Sequence, residues 1–306
     1  MKHRIISIGK LIFTFLVLIF IFNFYDLNIN RFAMLLNAKI VYIFAGVIFF
    51  LANFGIQFLK FRLLLSTLQK NIPGKDIFMA MCVGYSLGFI TPGNLGELGK
   101  GLYFKNISKT KSSSIVVMDK LINMAATISV GIVAVYILIL AGIGKDSSFH
   151  NLIFIIGLIS IGILTFLILK PSYVIMMLKK LNIARLEDYI SKTEAALNQI
   201  RLNIKVITFS LGIIWIFVIT LQYFFFISAF EVFPIKYSFL FIPAMLMIKI
   251  LMPVTFGDLG IREGILIYFF KHISVSPEAV ILGSLLVFLF NMVSPAVLGL
   301  FFIKKW

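Results

Sequence analysis

Six stretches of this chain run for about 20 residues with almost no charge, and the hydrocarbon core of a bilayer needs about that much helix to be crossed. They are 5–25, interrupted once by Lys10, then 40–59, 121–144, 151–169, 206–230 and 279–303. Pro295 falls inside the last, which a membrane helix tolerates when neighbouring helices satisfy the backbone groups it frees. Of 306 residues, 61% are hydrophobic, 13% are charged and 34 are Phe. A soluble domain carries about 25% charge and could not hide so much apolar surface. The chain therefore reads as an all-α polytopic membrane protein. Met1-Lys2-His3-Arg4 ahead of the first run looks like the start of a secretory signal. No small-residue cleavage pattern follows Tyr25, so the run is expected to stay as an anchor.

Two further apolar stretches are too short or too interrupted to cross. Residues 77–90 stop at Thr91-Pro92-Gly93-Asn94, and residues 237–252 are cut by Lys249 before Pro253. Such lengths suit re-entrant half-helices. The positive-inside rule favours that reading. A spanning 77–90 would put Lys100, Lys105, Lys109 and Lys111 outside, whereas a hairpin returns them to the cytoplasm beside Lys60, Arg62, Lys70 and Lys75. Six basic residues then lie outside (Arg31, Lys39, Lys145, Lys236, Arg262, Lys271) and three at membrane depth (Lys10, Lys120, Lys249). The rest of the 28 lie inside, with both termini cytoplasmic in a cell-membrane protein. The net charge of +16 thus reports orientation in the membrane; nucleic acid is not an expected partner.

In this topology one hairpin enters from the cytoplasm and the other from outside. The two breaks also correspond in sequence. Pro92-Gly93-Asn94-Leu95-Gly96-Glu97-Leu98-Gly99 matches Pro253-Val254-Thr255-Phe256-Gly257-Asp258-Leu259-Gly260 at a constant offset of 161, with Lys100 and Arg262 close behind. Opposite orientation with matching breaks is the pattern of an inverted repeat, which in transporters builds a site near the midplane. The expectation is one transmembrane domain over 1–306, with six spanning helices and two re-entrant hairpins. Its first half is 1–144 with a hairpin at 76–111, and its second is 206–306 with a hairpin at 237–272. Residues 170–205 connect them, where Leu186, Ile190, Leu197, Ile200 and Ile204 recur at helical spacing among charges. That spacing suggests an amphipathic helix on the cytoplasmic leaflet.

Pro and Gly at a hairpin tip free backbone groups that lipid cannot satisfy, so a tip implies a polar interior. Glu97, Lys100, Asp258, Arg262 and Glu263 lie close to the tips, and Asp119 and Lys120 follow a Ser112-Ser113-Ser114 cap on the next helix. Charges at that depth pair with each other or serve a pathway. Lys and Arg can hydrogen-bond a phosphate, and Glu or Asp can neutralise them in its absence. The alternative is that they are boundary residues snorkelling to the headgroups, Lys100 above all.

The segments GFITPGNLGELGKG at 88–101 and MPVTFGDLGIREG at 252–264 resemble the two signature segments of the lysylphosphatidylglycerol synthetase transmembrane-region family, the flippase-like integral membrane proteins. Helix order and motif positions fit over most of the chain. The resemblance implies movement between leaflets of a lipid: an anionic, aminoacylated or otherwise modified phospholipid, or a lipid-linked sugar. It also implies headgroup roles for Glu97, Lys100 and Arg262-Glu263-Gly264. Lys100 departs from the arginine expected there and would bind phosphate as a point charge. The sequence ends at Lys304-Lys305-Trp306 directly after the last apolar run, so no soluble transferase domain is expected and aminoacylation is not implied.

Other signals point away from catalysis. Gly84-Tyr85-Ser86-Leu87-Gly88 spells a hydrolase elbow, but that motif needs a strand-turn-helix and this is an apolar helical run, where packing through Gly84 and Gly88 is expected. Cys82 stands alone, and Glu97, Asp119, Asp258 and Glu263 lack local metal-ligand spacing, so neither a metal nor another cofactor is expected. The leading expectation is a translocator and not an enzyme. A membrane-embedded transferase acting on a lipid or polyprenyl carrier is the alternative, and a small-solute transporter a further one. A homodimer is compatible with either.

Overall fold

The computed structural model describes residues 34–104, 106–143, 148–170, 187–251 and 260–303; the expected first span at 5–25 lies outside them. Among the described residues every regular element is a helix. They are α1 (Ile40–Leu65), α2 (Gly74–Ile90), a 3₁₀ return (Pro92–Tyr103), α3 (Lys109–Leu140) and α4 (Ser148–Leu169). After these come α5 (Glu187–Asn198), α6 (Leu202–Ser228), α7 (Ile235–Leu251), α8 (Ile261–Lys271), α9 (Pro277–Phe288), a π turn (Leu289–Val293) and α10 (Ser294–Ile303). Among the described residues, five segments are long and apolar enough to cross a membrane: Ile40–Leu65, Lys109–Leu140, Leu152–Leu169, Leu202–Ser228 and Pro277–Phe302. These match five of the six expected spans.

Large apolar side chains cover the outside of the bundle, for example Ile48, Leu51, Ile155 and Phe301. In water such a surface would drive aggregation, whereas in a bilayer it is the face that meets the solvent. Burial places α3 at the centre, since 56% of its most apolar window is inside the protein against 11% for α1.

Helix starts and stops follow local chemistry, with some corrections to the sequence reading. The helix carrying Asp119 begins at Lys109 after Ser108, and Ser112 and Ser114 are already inside it. Their hydroxyls donate to carbonyls, Ser112 to Gly101 at 2.6 Å and Ser114 to Thr110 at 2.8 Å, so they do not cap it. The connector is not one helix to residue 205, because the chain breaks after Asn198 and α6 takes Ile204. Leu197 and Ile200 are buried, and α5 packs on α3, so this apolar face meets protein rather than the leaflet. The last span is interrupted before Pro295. A proline at position 295 cannot donate to the carbonyl of Asn291 and its ring crowds that carbonyl; the π turn over 289–293 takes up the strain.

α1 and α6 run antiparallel along their length. The Lys39 amide donates to the Ala229 carbonyl, Phe49 stacks on Phe225 at 5.2 Å between centroids, and Asn53 reaches Gln222. The arms of the two expected hairpins pack crosswise. α2 lies against α10, with Phe78 near Phe302, Ser86 bonded to Ala296 and Gly299 against the Cys82 carbonyl. α7 lies against α3, with Met247 and Pro243 over Gly131. Exchanging α1 with α6, α2 with α7, the return with α8, and α3 with α9–α10 converts most of these contacts into one another, while the packing of α4 and α5 on α3 has no counterpart among the described residues.

Candidate functional site

α2 ends because Thr91 precedes a proline, which disfavours helical backbone at the residue before it; Thr91 sits at φ −106°, ψ 141°. Its hydroxyl donates to the Leu87 carbonyl at 3.0 Å and accepts from the Gly96 amide at 2.5 Å, so one side chain ties both sides of the break. The return starting at Pro92 and Gly93 then runs back along α2. Gly84 faces Lys100 and Gly88 faces Glu97: a Cβ added at Gly84 would come within 2.8 Å of the Lys100 Cβ, and one at Gly88 within 3.5 Å of the Glu97 amide. The expected packing role of Gly84 and Gly88 is thus to admit the return. Ser86 donates to the carbonyls of Cys82 and Ala296, which is helix packing and not a nucleophile's arrangement.

This fold-back brings Lys100 into the bundle, 5% exposed, where it meets Asp119 of α3 at 2.9 Å and Glu97 at 3.5 Å. Lys100 is therefore not snorkelling. Its ammonium also lies 4.5 Å from the centre of the Phe61 ring, a cation–π distance. The second oxygen of Asp119 faces Lys60 at 3.6 Å, beyond hydrogen-bond length but within ion-pair reach. Lys60 is fully buried and donates to the Asn123 side-chain oxygen, and the Asn123 amide reaches Gln57 at 3.5 Å. One buried carboxylate is thus shared by two buried ammonium groups. Glu97 is the wetter acid, its side chain 32% exposed. Lys120, next on the helix, is half-buried, and the ion pairs to Asp119 come from Lys60 and Lys100.

The second centre forms at the start of α8. Gly260 has φ +88°, which a side chain would strain, and its amide donates to Glu263 at 2.7 Å as an N-terminal cap. The other Glu263 oxygen accepts from Arg262 Nε at 3.0 Å, from the outer guanidinium nitrogen, and from the Ser284 hydroxyl at 2.9 Å. Arg262 and Glu263 are 5% and 3% exposed, and the guanidinium lies over Phe288 at 5.5 Å. Phe288 meets Phe89, at the end of α2, with centroids 6.2 Å apart, so aromatic rings link this centre to the first break. α7 and α8 lie side by side, Phe241 stacking on Phe269 at 5.5 Å. Pro253, Gly257 and Asp258 lie outside the described residues.

A third polar cluster, uncharged, joins α1, α6 and the π turn. Asn53 donates to Gln222 at 3.2 Å, Gln222 and Asn291 exchange hydrogen bonds at 3.0 Å in each direction, and Trp215 donates to Asn53 at 2.6 Å. Sequence reasoning missed these amides and grouped Lys60 with the cytoplasmic charges. The signal was present in α1: Asn53, Gln57 and Lys60 fall at i, i+4 and i+7, one polar face on a helix otherwise apolar there.

Apolar, membrane-length helices enclosing buried ion pairs define a class of polytopic proteins with a polar interior. More narrowly, the chain matches the family described as Lysylphosphatidylglycerol synthase TM region over residues 6–299, nearly its whole length, and belongs to it. That membership makes it a membrane protein of lipid handling. No curated protein and no solved structure matches the chain.

Proposed function

We propose that the chain moves a lipid headgroup bearing a phosphate between bilayer leaflets. The observation that carries this is a pair of buried cationic centres, Lys60–Asp119–Lys100 with Glu97, and Arg262–Glu263, in each of which internal carboxylates already balance the cations. A cation so held is stable without ligand, yet a phosphate can replace the carboxylate at equal charge. A headgroup in transit needs such a partner, because an unpaired charge at the bilayer centre costs about 3 kcal/mol or more. Glu97, about one-third exposed and at 3.5 Å from Lys100, is the acid most readily displaced. Asp119 and Glu263 have further duties: one holds two lysines, the other caps α8.

The topology that goes with this reading has six spans and two re-entrant hairpins related as an inverted repeat, with both termini cytoplasmic in the cell membrane. Antiparallel α1 and α6 and the crosswise packing of α2 on α10 and α7 on α3 support it, since equivalent helices of an inverted repeat run in opposite directions. Transfer of a labelled phospholipid across reconstituted vesicles tests the function. Arg262→Gln and Lys100→Gln proteins that fold normally should lose most transfer. Wild-type rates in both would mean that the cations only hold the bundle together.

A further inference from the structure

The amide cluster shares α1 with the first charged centre and, through Asn291, lies three residues from Phe288 of the second. Asn53 is at the middle of the 26-residue α1, which sets it at the depth of the bilayer centre if α1 spans. Gln57 and Lys60 follow on the same face of α1, so the first centre begins two turns away, about 10 Å along the axis. Gln222 is followed on α6 by the buried Tyr223. Asn291 sits in the π turn that starts one residue after Phe288, the ring beneath that guanidinium. The cluster also joins both halves, α1 from the first and α6 with the π turn from the second.

Side-chain amides suit a barrier of this kind. They donate and accept, so closed they satisfy one another, and being neutral they need no counter-ion at midplane. Opened, their N–H groups can meet phosphate and ester oxygens without the strong grip of a cation. A π turn is a place where a helix changes its hydrogen-bond register with little disturbance on either side, and such turns recur at functional sites.

We propose that the Asn53–Gln222–Asn291 junction is a midplane gate on the headgroup path, opened when a phosphodiester headgroup takes over the amide N–H groups. This rests on the translocation reading above. Trp215 reports directly on the gate, because its indole donates to Asn53 and the chain has only one other tryptophan, Trp306. In a Trp306→Phe protein held in maltoside micelles, short-chain phosphatidylglycerol should shift Trp215 emission and raise its quenching by acrylamide at least twofold, whereas a short-chain diacylglycerol should do neither. In vesicles, Gln222→Leu and Asn291→Leu should slow phospholipid transfer at least tenfold, while Asn291→Gln, which keeps the amide, should stay within about threefold of wild type. An unresponsive Trp215, or folded leucine variants that transfer at the wild-type rate, would reduce the junction to interhelical packing. If the leucine variants do not fold, the Trp215 response decides alone. If wild-type protein fails to speed transfer in vesicles, the translocation reading itself falls. If wild-type transfer is fast and the junction is indifferent, only the gate falls.

Discussion

Replacing Asp119 should have an effect that a second substitution partly reverses. Lys60 and Lys100 are 0% and 5% exposed and share this one buried carboxylate, at 3.6 and 2.9 Å. With an effective dielectric of about 20, the two attractions are roughly 5 and 6 kcal/mol before desolvation is subtracted. Removing one partner of a buried pair leaves an uncompensated charge, for a loss of about 3–5 kcal/mol. Glu97 can still neutralise Lys100, so the burden after Asp119→Asn falls on Lys60, which among the described residues keeps the Asn123 side-chain oxygen. Deleting that stranded cation with Lys60→Met should return about 2–3 kcal/mol, the scale of a lysine at the membrane centre. The same Lys60→Met change in wild-type protein should destabilise, since it breaks a working pair. Unfolding free energies of the four proteins, from titration of mixed micelles with a denaturing detergent, give the cycle. Lys60→Met that harms Asp119→Asn as much as wild type would refute the shared-carboxylate account.

Other outcomes follow from packing and backbone geometry. Gly299→Ala should separate α10 from α2, because its Cβ would overlap the Cys82 carbonyl, whereas Gly55→Ala meets nothing within 4 Å and should be neutral or stabilising by up to about 1 kcal/mol; thermal unfolding in detergent compares them. Gly260→Ala should lose about 1–2 kcal/mol through its positive φ and weaken the Glu263 cap, read by the same scan and by lowered lipid transfer. Ser86→Ala should lose about 0.6 kcal/mol of interhelical hydrogen bonding and leave function intact. Abolished function in a folded Ser86→Ala protein would revive a catalytic role.

Bilayer thickness makes spans the most legible feature of such a chain, and five of them stand where uncharged runs put them. The break at Pro92 was legible too, because proline's effect on Thr91 is local. Boundaries were less so: α3 starts at Lys109, in a stretch too charged to read as membrane helix, since Ser112 and Lys100 find their partners across the return. Tertiary pairing likewise hid the site. Lys60 looks like a flanking charge until Asp119, 59 positions later, is folded against it. Asn53, Gln222 and Asn291 carry no charge and sit in three different spans, so nothing local distinguishes them from tolerated polar residues.

The crosswise packing has a consequence for how the protein is made. α2 ends at Ile90, and its partner α10 begins at Ser294. About 200 residues must be synthesised in between, which at about 5–20 residues per second takes roughly 10–40 seconds. Throughout that interval the α2 face carrying Ser86 waits beside the ribosome-bound chain without its final neighbour. The Lys60–Asp119–Lys100 cluster needs nothing beyond α3, so the emerging first half can neutralise its own buried charges long before the bundle is closed. A nascent chain halted after residue 144 should then be stable enough to wait, with the faces of α1, α2 and α3 that later receive α6, α10 and α7 still open to lipid.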